Sequence, residues 1–127
     1  MDRVYLPRAD RLLTAWIPLG RVTTSDGAMT VAVGSHRSAP FAALRSSYGR
    51  TKPADGTRGG WIADDPNDIE TLHGTGKIEW ASADFEPGDV CVLGVDLLHM
   101  TSNNTTDRWR ISCDTRWLPV GSRSPFY

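Results

Sequence analysis

The clearest pattern of apolar and polar positions lies in residues 86–118, EPGDVCVLGVDLLHMTSNNTTDRWRISCDTRWL. A turn at Pro87-Gly88-Asp89 opens an apolar run through Val90, Cys91, Val92, Leu93 and Val95. This run predicts a strand over residues 89–99, delivering His99 at its far end. A polar stretch at 101–107 follows, and then strict alternation. Arg110, Ser112, Asp114 and Arg116 fall on one face, and Trp109, Ile111, Cys113, Thr115 and Trp117 on the other. That is the period of a strand and predicts one over 108–118, antiparallel to the first. A histidine at a strand end, a loop, and a returning strand carrying Arg-x-Ser have the makings of a site.

Upstream, Leu12, Leu13, Trp16, Ile17 and Leu19 predict a strand over 12–19 buried on both faces, with Pro18 near an edge or bulge. Ser25-Asp26-Gly27 supplies a turn, and residues 29–33 form the next short strand, closed by Gly34-Ser35. Periodicity lapses over 37–76, where Gly, Pro, Ser and charged residues dominate. Within that stretch, 40–48 can form two helical turns. Asp65-Pro66 reads as an N-cap and first-turn proline opening a short helix through Leu72. Residues 77–83 restore strand character. The coarse prediction is antiparallel β structure interrupted by one long connection, of a kind that is usually functional or mobile.

Composition narrows the reading. A chain of 127 residues is a single domain with room for a sizeable core. With 14 Lys+Arg against 15 Asp+Glu, the charge balance gives no footprint for nucleic acid or an anionic membrane. No apolar run is long enough to span a bilayer and MDRVYLPRADR is not a signal peptide, so the expected location is cytoplasmic. Cys91 and Cys113 are then expected as buried thiols rather than a disulfide. Asn103-Asn104-Thr105 and Asn104-Thr105-Thr106 match the glycosylation sequon by chance composition.

The 86–118 segment resembles the C-terminal half of the Fe(II)/2-oxoglutarate-dependent oxygenases, and most closely the phytanoyl-CoA dioxygenase family. In that family a metal histidine ends a strand opened by a Gly-Asp turn, and an arginine eleven positions later grips the far carboxylate of 2-oxoglutarate. His99 and Arg110 stand at those positions. LLTAWIPLG (12–20) is similar to the strand after the family's first metal motif. GAMTVAVGSH (27–36) is similar to its G-x-L-x-V-x-P-G-S-H segment, with Val33 in place of the usual proline. These blocks cover most of the chain outside residues 38–76.

The resemblance implies a mainly β fold, a double-stranded β-helix (jelly roll, cupin-like), incomplete at its N-terminus, in which residues 38–76 form a variable lid. Such enzymes hold Fe(II) with two histidines and one carboxylate. Asp2 is the implied carboxylate of His-x-Asp and His99 the second histidine. The first histidine would directly precede Met1, so the chain is expected to be the C-terminal portion of such a domain and inactive by itself. Arg110 is the implied 2-oxoglutarate ligand, because a planar guanidinium takes a carboxylate bidentately where lysine cannot. Ser112 adds a hydrogen bond on the same face, and Trp16 and Thr101 are implied to line the co-substrate pocket.

Each of these residues also has a plainer reading. An aspartate at position 2 is ordinarily a frayed surface residue, a lone strand-end histidine is ordinarily structural, and a tryptophan in an apolar strand is ordinarily core. Arg108 and Arg116 are better candidates than Arg110 for a salt bridge at the barrel edge. His36 belongs to a turn and His73 to loop surface. GRTKPADGTRGG (49–60) lacks the Gly-Lys-Ser/Thr of a phosphate loop, and Arg45, Arg50, Lys52 and Arg58 read as solvated loop charge.

The implied activity is that of a dioxygenase coupling decarboxylation of 2-oxoglutarate to hydroxylation of a small organic substrate. Aspartate at position 2, rather than glycine or alanine, favours hydroxylation over halogenation. The alternative is a non-catalytic jelly-roll binding module that kept the fold and lost the metal centre.

Overall fold

A computed structural model describes residues 2, 11–48 and 62–122. The expectations placed on Arg50, Lys52 and Arg58 lie outside the described residues.

Among the described residues, six strands make two antiparallel sheets. They are β1 (Leu13–Pro18), β2 (Met29–Ala32), β3 (Trp80–Ser82), β4 (Cys91–Gly94), β5 (His99–Thr101) and β6 (Ser112–Trp117). The first sheet has the order β4-β1-β6 and the second β3-β2-β5. The chain therefore crosses between the sheets after β1, β3, β4 and β5, while β2 and β3 stay in one sheet. A 3-10 turn (Ala39–Phe41) leads directly into α1 (Ala42–Ser47), and α2 spans Asp68–His73.

Side-chain alternation explains how the sheets face each other. In β1, Thr14 and Trp16 are buried while Leu13 is 47% exposed, so the strand is buried on one face and not on both as its apolar content suggests. Trp16, Val22, Ala28, Met29 and Leu93 form a core cluster that takes side chains from both sheets, with Val31, Phe85, Cys91 and Leu97 packed against it. The rings of Trp16 and Phe85 meet edge to face at 5.0 Å. A second cluster, Ala32, Phe41, Leu44, Ile69, Ile78 and Leu98, seats the helical segments on the second sheet. Pro18 ends β1: the β4 ladder stops at Trp16, and Pro18 pairs only with Ser112 of β6.

Several boundaries differ from the sequence reading. The single strand expected over 89–99 is two strands in different sheets, because Leu97 N–H donates to the Gly94 carbonyl at 3.0 Å and turns the chain across the sandwich. The strand expected over 108–118 begins at Ser112, so Arg110 precedes it. The helix expected from Asp65 starts at Asp68. Asp65 Oδ1 instead accepts the Asn67 backbone and side-chain N–H groups, making a turn of its own. Cys91 is half-buried and Cys113 is exposed, both as free thiols, so burial is incomplete for the first and absent for the second. Arg45 is not solvated loop charge: its Nη1 donates to the Ser35 and Ser38 carbonyls at 2.7 and 2.8 Å.

Candidate metal and co-substrate site

His99 opens β5 opposite Val31, and residues paired across a ladder project to the same face. Val31 packs on the cluster between the sheets, so the His99 ring points into the sandwich, whereas its neighbour Leu98 points out into the second cluster. Across the gap, β1 presents Thr14 on its buried face. Asp2 is 3% exposed, not frayed, and one of its oxygens accepts a short hydrogen bond from the Thr14 hydroxyl. Its other oxygen, Oδ1, lies 3.8 Å from His99 Nε2. The structure thus brings together two residues separated by nearly the whole chain.

Arg116, paired with Thr14 across the β1–β6 ladder, reaches the same place. Its Nη2 is 3.5 Å from Asp2 Oδ1, and its Nη1 is 3.8 Å from Asp114 Oδ2. Burial, and after it the charge of the amino terminus, lowers the His99 pKa from its ordinary value, while the Leu97 carbonyl and the charges of Asp2 and Asp114 oppose that shift. The direction favours the neutral imidazole, the form in which histidine binds a metal.

A neutral imidazole nitrogen and a carboxylate oxygen facing each other fit a non-haem Fe(II) ion in donor type. They supply two of the three protein donors of such a centre. Among the described residues there is no group of three His, Cys, Asp or Glu side chains that could hold an ion.

Arg110 is half-buried just ahead of β6, and its Nη1 donates to Ser112 Oγ at 2.5 Å. Alternation places this pair on the same face of the chain as Asp114 and Arg116, further from His99 along β6. Thr101 ends β5 and lines a cleft of about 900 Å³ together with His99, Met100, Trp80, Ile62 and Asp65. Trp16 is a core residue, 2% exposed. His36 is exposed, and His73 closes α2 ahead of Gly74.

The loop between His99 and Arg110 is tightly held. Buried Asp26 receives Thr23 N–H and Oγ1–H, Thr106 Oγ1–H, and Arg108 Nη2 at 2.7 Å from each carboxylate oxygen. Ser102 N–H donates to the Ala28 carbonyl and Thr105 N–H to the Ser25 carbonyl. Gly27 has φ +85°, and a Cβ there would stand 2.9 Å from the Ser102 carbonyl oxygen, so the two loops close only over glycine.

Sequence reasoning missed Thr14, Ser35 and Asp114 as participants. Asp114 and Arg116 shared a face with Arg110 in the alternation, a usable signal. Thr14 and Ser35 carried none.

Several solved structures are similar, two of them as follows. The non-heme alpha ketoglutarate dependent carbocyclase SnoK from nogalamycin biosynthesis matches with a TM-score of 0.64 and 24% identity, over 89% of this chain and 39% of that one. The non-heme alpha ketoglutarate dependent epimerase SnoN from the same biosynthesis matches with a TM-score of 0.59 and 23% identity, over 92% of this chain and 39% of that one. At such identities the likeness is one of fold, and the chain spans about two-fifths of the length of either. No curated protein sequence matches significantly. The family model for phytanoyl-CoA dioxygenase (PhyH) matches residues 1–112. With that match over most of its length, and with Asp2 brought to His99 between two antiparallel sheets, the chain belongs to the phytanoyl-CoA dioxygenase family.

Proposed function

We propose that this chain carries part of the active site of an Fe(II)- and 2-oxoglutarate-dependent dioxygenase that hydroxylates a small organic substrate. Family membership implies Fe(II) and 2-oxoglutarate as metal and co-substrate. The observation that carries the reading is the approach of Asp2 Oδ1 to His99 Nε2, 3.8 Å, inside the sandwich. When bound, the metal with 2-oxoglutarate supplies an oxidising centre that couples release of succinate and CO2 to oxygenation of a C–H bond.

The chain's own residues position and shield. Asp2 and His99 would hold the metal, and the Thr14 hydroxyl, donating to Asp2, orients that carboxylate. Arg110 offers its guanidinium edge to the far carboxylate of 2-oxoglutarate, and Ser112, already bonded to that guanidinium, limits its swing. The 62–67 segment, part of the long connection expected as a lid, walls a cleft with Trp80, Leu98 and Met100 on the face of the second sheet opposite the His99 ring. A reducing cytoplasmic setting agrees with two free thiols and with an Fe(II) centre.

The test is anaerobic Fe(II) titration followed by 2-oxoglutarate-dependent succinate formation in air. The experiment is run on the 127-residue chain and on the chain extended upstream with a histidine two positions before Asp2. The expected result is weak Fe(II) binding by the short chain and stoichiometric binding with turnover by the extended one. Absence of both in the extended protein would leave a jelly-roll binding module.

A further inference from the structure

We infer that Ser35 is a positioning residue for His99, acting through the single peptide plane between Leu97 and Leu98. The two polar groups of that plane are both engaged. Its N–H, on Leu98, donates to Ser35 Oγ at 2.9 Å, a buried bond between residues 63 apart in sequence. Its C=O, on Leu97, lies 2.8 Å from His99 Nδ1. A carbonyl oxygen can only accept, so Nδ1 carries the proton and the lone pair of the neutral ring sits on Nε2, the atom that faces Asp2. In a trans peptide the N–H and C=O are locked in opposite directions in one plane. Holding the N–H from one side therefore fixes where the carbonyl points on the other, and with it the tautomer and rotation of the imidazole.

Ser35 is itself held firmly enough to serve. It is 1% exposed. Its N–H donates to the Ala32 carbonyl and its carbonyl accepts from Arg45 Nη1. Gly34, at φ +73°, makes the turn that swings the hydroxyl toward β5. On the far side of the plane, the Leu98 carbonyl accepts from Ala32 N–H, and the Leu98 side chain is buried among Phe41, Leu44 and Ile69. The peptide can neither flip nor tilt while the hydroxyl is present. Groups that orient a metal-binding histidine through its second nitrogen are worth about ten- to hundredfold in metal affinity. Ser35 stands one step further out and sets the orienting carbonyl.

The metal-binding consequence rests on the function proposed above, whereas the positioning can be read on the metal-free chain. The experiment compares wild type, Ser35→Ala and Ser35→Thr by imidazole nitrogen NMR of His99, amide exchange at Leu98, and Fe(II) titration under anaerobic conditions. In wild type, His99 should show the Nδ1–H tautomer and Leu98 a protected amide. Ser35→Ala should speed Leu98 exchange at least about tenfold beyond any change at Val31 in the adjoining strand, mix the His99 tautomers, and weaken Fe(II) binding by about ten- to hundredfold. Ser35→Thr, which keeps the hydroxyl, should restore the tautomer. Should Ser35→Ala fail to fold, the wild-type tautomer and the Ser35→Thr spectrum decide: an Nε2–H tautomer in wild type overturns the inference. A folded Ser35→Ala chain with unchanged Leu98 exchange and an unchanged His99 tautomer overturns it as well. With the Fe(II) titration run on the upstream-extended protein, a response of tautomer and exchange while no form binds Fe(II) leaves the positioning standing and the oxygenase reading fallen.

Discussion

At Arg110 the guanidinium has one nitrogen committed to Ser112 and the remainder of its planar edge available for a carboxylate. Arg110→Lys removes that edge and leaves Asp2 and His99 intact. Charge-assisted hydrogen bonds contribute about 1.5–3 kcal/mol each, so the dissociation constant for 2-oxoglutarate should rise about ten- to hundredfold while that for Fe(II) stays unchanged. Parallel titrations of the two ligands in the upstream-extended protein check this, and equal losses for both would make Arg110 a structural residue. Asp26 titrates in the opposite region of the molecule's behaviour. The Thr23 hydroxyl and N–H, then Thr106 and Arg108, hold its carboxyl far below the usual carboxylate range. Its folded pKa lies below its unfolded value of about 3.9. The stability it contributes is therefore fully present above about pH 4 and is lost as pH falls toward the folded pKa. Asp26→Asn should lower the urea midpoint at pH 7, and the gap from wild type should start to narrow below about pH 4 and still be open at about pH 2, because the folded pKa lies lower.

On the scale of the element, β6 shows that a strand's apolar face need not be its buried one. Ser112, Asp114 and Arg116 turn toward the site, while Ile111 and Trp117 are each 63% exposed and Cys113 faces outward with them. Ile17, the partner of Cys113, and Ala15, the partner of Val92, complete this outer face, whereas Cys91 points inward with Trp16. The two thiols should therefore differ in reactivity. Burial raises the Cys91 pKa, which lowers its thiolate fraction as well as its access. An aromatic disulfide reagent at pH 7.5 should modify Cys113 first and Cys91 at least about tenfold more slowly, as read by mass spectrometry of the peptides. Equal rates would mean that β4 does not face the cluster as described. The broken 89–99 run belongs to this scale too. Four residues suffice for β4, and the turn bond from Leu97 to Gly94 sends His99 to the other sheet.

For the whole molecule, stability is concentrated between the sheets and is small on the outer face. Trp16 touches side chains from both sheets, so Trp16→Ala should cost about 3–5 kcal/mol, the range for deleting a large buried aromatic. Trp117, whose indole N–H donates only to Thr115 of its own strand, buries little, and Trp117→Lys should change stability by no more than about 0.5 kcal/mol. Guanidinium unfolding of the two variants measures both. A cost above about 2 kcal/mol for Trp117→Lys would show that the outer face is covered in solution.

The sequence by itself determined the local features. Alternation gave β6 its two faces, Asp26-Gly27 and Gly88 gave the turns, and the blocks around His99, Arg110 and GAMTVAVGSH carry the family resemblance. Period and turn chemistry are properties of neighbouring residues, which a single chain displays directly. Three things were decided only by tertiary structure. The first is which face of β6 turns to Asp2, since neither face is buried and it is the polar one, through Arg116, that reaches the site. The second is the burial of Asp2, which a terminal position argues against and which depends on Thr14, His99 and Arg116 arriving from three different strands. The third is the mounting of His99, in which Ser35 meets Leu98 across 63 residues. A hydrogen bond between side chain and backbone at that separation leaves no trace in local pattern, because either partner alone is an ordinary serine or an ordinary strand amide.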